Sequence, residues 1–178
     1  MAEEKKEKWI NFVALTTVAL AVCATLSTFK GGQFSTRSVM SQSQASNQWS
    51  YYQAKSIKGY IYEGQKEALE ADLKKQGDNL PPELRLSFQD RIAAYGQKLK
   101  QYEQDKAAIT QEAKRLESVR DLAQQHSQAF GMALIFLQIG ILLSSISALL
   151  KKKPLWFLGL AVGAYGLIYF FNGFFLFF

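Results

Sequence analysis

One cysteine, Cys23, and one histidine, His126, are all that 178 residues hold of those two types. A single thiol cannot close an intrachain disulfide, and says nothing of redox compartment. One His and one buried Cys build no metal site without carboxylates clustered beside them, and none cluster in this sequence. Proline is scarce too: there are three, at 81, 82 and 154, and both places read as turns. Charge is missing altogether from residues 9–29, 129–150 and 155–178. No Ser-His-Asp, Cys-His or paired-carboxylate arrangement can be drawn without arbitrary choices. Gly159-Leu-Ala-Val-Gly163 lies in an apolar run without the lysine and Ser/Thr of a phosphate loop. The expectation is a non-enzymatic protein with no catalytic, cofactor-binding or metal-binding residues.

The positive charge that is present is diffuse. Net charge is +6, but the tail of residues 1–8 balances three Glu with three Lys, and Lys151-Lys152-Lys153 holds +3. Between Lys30 and Gln128, 15 Lys/Arg face 12 Asp/Glu. That is a mixed solvated surface without the basic stripe that nucleic acid requires, so nucleic acid is not an expected partner.

What is abundant is apolar length. Trp9–Phe29 is 21 residues without charge, close to the roughly 20 that cross about 30 Å of hydrocarbon. Trp9 suits the headgroup level and Lys30 closes the run. A cleaved signal peptide is the rival reading, and Leu20-Ala21-Val22-Cys23 faintly resembles a lipoprotein box, with Val a poor residue before the cysteine. An uncleaved first transmembrane helix is preferred. Gly31-Gly32 weakens helix by roughly 1 kcal/mol per glycine, so a kink or break is expected there. Ala129–Leu150 is the second span and Leu155–Phe178 the third. Residues 151–154 form a tight turn between antiparallel neighbours.

Residues 33–128 between the spans are polar and helix-favouring, and fold at Gly77-Asp78-Asn79-Leu80-Pro81-Pro82. Gly77 suits a C-cap, and proline suits the start of the next helix. Gln33–Gln76 and Glu83–His126 are each 44 residues, about 66 Å as helix. Equal arms make an antiparallel hairpin whose tip, at 77–82, exposes Asp78, Asn79 and Leu80. On the first arm, Ser35–Asn47 is only weakly periodic. Ala54, Ile57, Ile61, Gly64, Ala68 and Ala71 then alternate three and four apart, an apolar stripe expected to face the second arm. On the second arm, Ile92, Tyr95, Leu99, Tyr102, Ile109, Ala113, Leu116 and Ala123 share a 3.5-residue seam, interrupted by Lys106 and Arg120. Folding at residues 79–80 places Ile57 near Tyr102, Tyr60 near Leu99 and Lys55 beside Asp105.

The fold class is therefore an all-α membrane protein: three transmembrane helices carrying a long extramembrane antiparallel helical hairpin of coiled-coil type. The short loops set orientation, because long domains cross regardless of charge. Tail and triple-lysine turn belong on the cytoplasmic side. Hairpin and C-terminus then lie on the periplasmic or outer side of a bacterial inner (plasma) membrane.

The segment Asn47–Lys58, with its W-x-Y-Y-Q-A-K-S core from Trp49 to Ser56, resembles bacterial membrane proteins of domain-of-unknown-function family 4337. The preceding apolar helix, the proline-bearing hairpin and the two closing spans extend the likeness over nearly the whole chain. The resemblance implies that architecture and carries no activity, cofactor or catalytic residue. From the residues themselves, Trp49, Tyr52 and Lys55 form either a partner-binding patch or an aromatic layer between the arms. Gln138, Ser144 and Ser145 on the second span, with Gly159 and Gly163 on the third, read as helix-packing or pore-lining positions. The leading functional expectation is a homo-oligomeric scaffold whose hairpins bundle or reach an envelope protein, with membrane lipid as its other partner. The alternatives are a channel or transporter subunit with a pore from spans two and three, and an accessory subunit of a larger membrane complex.

Overall fold

A computed structural model describes residues 2–76 and 79–178, with side chains from Trp9 onward. The expected C-cap at Gly77 and tip residue Asp78 lie outside the described residues, as do Met1 and the side chains of the 1–8 tail. Among the described residues the structure is all helix with short connections. α1 runs Ala2–Gln76, α2 Pro82–Leu150 and α3 Lys153–Phe175. The break expected at Gly31-Gly32 is absent, and α1 passes through both without interruption. A Cβ on Gly31 would sit 3.2 Å from Phe130 Cβ, and the Gly31 carbonyl accepts a hydrogen bond from Ser127 Oγ at 3.1 Å. Packing against α2 thus outweighs the weak intrinsic propensity of the glycine pair. The helices divide into two compact units, residues 1–40 with 119–178, and residues 41–118.

The first unit packs the start of α1, the second half of α2 and all of α3. Its core is Leu20, Ala24, Phe130, Ala133, Leu137 and Phe170, with Phe130, Ala133 and Leu137 wholly buried. Each of the three helices carries a segment long and apolar enough to cross a membrane. Most of each segment stays uncovered by protein. Phe12, Leu15, Val18, Leu142, Leu149 and Phe157 all point outward.

The turn from α2 to α3 is built as expected but tighter. Lys151 takes the left-handed conformation at φ 54°, the amide of Lys152 bonds to the Ser147 carbonyl at 3.2 Å, and Ser147 Oγ donates to the Lys152 carbonyl at 2.8 Å. α3 begins at Lys153, two residues before the expected span. It also ends sooner, at Phe175. Leu176 is left-handed at φ 48°, and its amide bonds to the Asn172 carbonyl at 2.8 Å. The Asn172 side chain then holds the Phe178 backbone, its Nδ2 donating to the Phe178 carbonyl and its Oδ1 accepting from the Phe178 amide.

The second unit pairs the remainder of α1 antiparallel with the first part of α2. On α2 the buried and half-buried positions are the expected seam, Ile92 through Leu116, with Lys106 inside it. On α1 they are different residues from those expected. The inward set is Ala45, Gln48, Tyr52, Lys55, Gly59, Tyr62, Lys66, Leu69 and Leu73, while Ala54, Ile57, Ile61, Gly64, Ala68 and Ala71 are exposed. Ile57 and Tyr60, expected beside Tyr102 and Leu99, are 60% and 72% exposed. Tyr62 takes their place, its ring 5.3 Å from that of Tyr95 and 5.8 Å from that of Tyr102. The fold point was right and the face was wrong. Lysine stems and aromatic rings cover as much apolar surface as isoleucine while keeping their polar ends at the edge.

Candidate functional site

The Trp49–Tyr52–Lys55 cluster turns toward the second arm. Trp49 Nε1 donates to Glu117 Oε1 at 2.8 Å, and the Trp49 and Tyr52 rings meet edge-on with centroids 5.8 Å apart. Lys55 Nζ donates to Asp105 Oδ2 at 2.7 Å, the expected pair, with the two side chains 17% and 34% exposed. The same ammonium stands 5.0 Å from the Tyr102 ring centre and 5.5 Å from that of Tyr51. Lys106 mirrors it from α2, 5.8 Å from the Tyr52 ring centre and ion-paired to Glu103. The hydrogen bond to Asp105, opposed by partial desolvation, raises the Lys55 pKa above its ordinary 10.5. Glu103 does the same for Lys106.

These contacts make a polar lock across the seam. Cations sit against aromatic faces, and each charged head finds its carboxylate at the rim. A one-residue slip would break the Trp49–Glu117 and Lys55–Asp105 bonds together, so the layer sets the register of the two arms.

At the tip, the expected exposure holds for Asn79 but not for Leu80, which is 5% exposed. Leu80 is tucked in just before α2, whose first turn is closed by the Arg85 amide on the Pro81 carbonyl at 3.0 Å. An apolar residue entering a helix gains more from burial than from display.

The five helix-packing or pore positions do not share a face. Ser144, Gly159 and Gly163 lie together where α2 meets α3, whereas Gln138 and Ser145 are exposed. Ser145 Oγ bonds back to the Ile141 carbonyl of its own helix at 2.9 Å. A Cβ on Gly159 would meet Ser144 Oγ at 2.9 Å, and one on Gly140 would meet the Gly159 carbonyl oxygen and Gly163 Cα at 3.0 Å. Small residues here let two backbones approach closely. Ser144 Oγ is fully buried without a hydrogen-bond partner.

From the sequence, His126 stands where the second arm meets the second apolar span and reads as an ordinary interfacial polar residue. Its Nδ1 lies 2.8 Å from the Gly173 carbonyl oxygen. A carbonyl only accepts, so Nδ1 carries the proton. The imidazole also stacks on Phe34 with centroids 4.4 Å apart. His126 thus ties α2 to α3 on one side and to α1 on the other. Among the described residues no group of three or more His, Cys, Asp or Glu is placed to hold a metal ion.

The family model for the domain of unknown function DUF4337 matches residues 9–176. The chain belongs to the DUF4337 family. The match includes all three helices and both units, so the likeness noted at Asn47–Lys58 extends over this DUF4337 chain nearly end to end. No curated protein and no solved structure matches it significantly.

Proposed function

We propose that this DUF4337 chain is a non-enzymatic membrane scaffold. The three apolar segments span a bilayer, and the hairpin unit, lying outside it, self-associates or docks a partner. The observation that carries the reading is the outward apolar surface of the first unit. Phe12, Leu15, Val18, Leu142, Leu149 and Phe157 face away from the protein on all three helices. In water such a surface exceeds what a monomer leaves uncovered, and in lipid it costs nothing. In the second unit the half-buried Lys55 and Asp105 are committed to pairing one arm with the other.

The membrane is a bacterial inner or plasma membrane in this reading. The tail and the Lys151–Lys153 turn are cytoplasmic, and the hairpin lies on the periplasmic or outer side. A pore is the second reading. Because Ser144 faces inward, it would be lined by Gln138 and Ser145 between neighbouring copies, and reconstituted protein would conduct. As an accessory subunit, the chain would instead purify at fixed stoichiometry with other proteins.

Membrane insertion is tested by carbonate washing of membranes, which must leave the protein in the pellet; release into the supernatant sinks the proposal. Orientation is tested by Asn79→Cys in a Cys23→Ala background. An impermeant thiol reagent should label it in intact cells with a permeabilised outer membrane. Labelling only after lysis reverses the orientation.

A further inference from the structure

The exposed stripe on α1 carries a more specific reading. Ala54, Ile57, Ile61, Gly64, Ala68 and Ala71 repeat at intervals of three and four on the side nearly opposite the seam to α2. The helix therefore bears two heptad faces, and the hairpin occupies only the more polar one. The stripe spans about 26 Å of helix. Its heptad continues backward through exposed Ser50 to exposed Asn47, which falls at an a-type position, where asparagine sets the register of two parallel strands.

We infer that the stripe is the seam of a homodimer in which α1 packs in parallel and in register against α1 of a second copy. This rests on the scaffold reading above and names its partner. Three observations choose this occupant. First, the outer face of α2 in the same unit is polar, with Gln97, Gln101, Gln104 and Gln111 exposed. The other apolar residues that α2 exposes in this unit, Leu84 and Leu86 near the tip and Ala93, Ala94, Ala107 and Ala108 among the glutamines, form no continuous stripe, whereas the stripe on α1 is self-complementary about a two-fold axis. Second, copies inserted with one orientation run α1 in one direction, which selects the parallel pairing. Third, the flanking residues fit that pairing over most of its length. In register, Gln53 meets Lys58 and Tyr60 meets Gln65 across the seam, and the one mismatch is Glu67 against Asp72 at the far end. The contact is short, but anchorage in a shared membrane raises the effective concentration of the second copy, so a narrow seam suffices.

The Glu67–Asp72 mismatch gives the proposal a test that improves association instead of destroying it. Like charges at these flanking positions oppose pairing, and opposite charges favour it. Full-length protein in native membranes, in the Cys23→Ala background, is oxidised with copper phenanthroline and run on non-reducing gels. Ile57→Cys and Ile61→Cys should each yield a disulfide dimer, while Gln104→Cys on the outer face of α2 should not. Adding Asp72→Lys to Ile61→Cys should raise the dimer fraction at least two-fold, and adding Ile57→Glu should reduce it several-fold. Equal dimer at Gln104→Cys, no dimer at residues 57 and 61, or dimer formed only when Ile57→Cys is mixed with Ala68→Cys, as antiparallel packing requires, overturns the proposal. Carbonate washing of the same samples separates the two readings. Retained protein without the dimer overturns the seam alone, and released protein overturns the membrane anchorage.

Discussion

Glycine-to-alanine exchanges at four positions test the packing of the first unit through an internal reference. Every such exchange in a helix gains about 0.8–1 kcal/mol in propensity. At Gly131 that gain stands alone, because an added Cβ meets nothing within 4 Å. At Gly166 the same Cβ would lie 2.8 Å from the backbone nitrogen of Leu137 and 3.0 Å from Leu137 Cγ. Backbone cannot rotate away, so α2 and α3 must separate, and overpacking of that kind costs about 1–3 kcal/mol. Propensity cancels between the two variants. Gly131→Ala should therefore exceed Gly166→Ala in stability by about 1–3 kcal/mol. Gly140→Ala, which also confronts backbone, should behave like Gly166→Ala. At Gly163 the nearest atoms are the ends of the Leu20 side chain at 2.9 and 3.0 Å, which can change rotamer, so Gly163→Ala should fall between. The assay is equilibrium unfolding in mixed detergent micelles with increasing SDS, followed by far-ultraviolet circular dichroism. If Gly166→Ala and Gly131→Ala unfold at the same SDS fraction, the close approach of α2 and α3 is refuted.

Other perturbations bear on single contacts. Ser144→Ala removes a buried hydroxyl that has no partner, and in the same SDS titration it should be neutral or stabilising by up to about 1 kcal/mol; a loss of more than that would show that the hydroxyl is satisfied. Lys55→Met keeps the stem but removes the pair with Asp105, and thermal unfolding of the hairpin should show only a small loss, on the order of 1 kcal/mol or less. Combining it with Trp49→Phe, which deletes the hydrogen bond to Glu117, should allow the arms to slip, detectable as altered disulfide trapping between Tyr62→Cys and Tyr95→Cys. With pH, the Lys55 pKa is raised by Asp105 above 10.5, so its contribution is complete below 10.5 and is lost as pH rises through the higher folded value. Glu112 is held below its ordinary 4.5 by Arg115, so its contribution is present above 4.5 and lost as pH falls through the lower folded value. Hairpin melting should thus be flat near neutrality and weaken at both extremes; a step near neutral pH would contradict these pairings.

The sequence by itself determined the helical class, the three apolar segments, the turn near residues 77–82 and the pairing of Lys55 with Asp105. These follow from features that act locally or along one helix: uncharged length, proline and glycine placement, and equal arm lengths that fix which residues come opposite. The α2 seam was legible for the same reason, since its Ile, Leu, Tyr and Ala positions repeat on one face. Only the tertiary structure decided which face of α1 the hairpin uses. Hydrophobicity pointed to Ile57 and Ile61, yet Tyr52, Lys55, Tyr62 and Lys66 fill the seam, where α2 offers Lys106 to the Tyr52 ring, Asp105 and Tyr102 to Lys55, and Tyr95 and Tyr102 to Tyr62. Tertiary packing also carried α1 through Gly31-Gly32, where Phe130 needs the room a missing Cβ leaves. It turned His126 from an interfacial polar residue into a tie between three helices, and it separated Ser144 from Gln138 and Ser145. A periodic pattern names the faces a helix has to offer. The partner on the other side, through its own charges and shapes, decides which of them is taken.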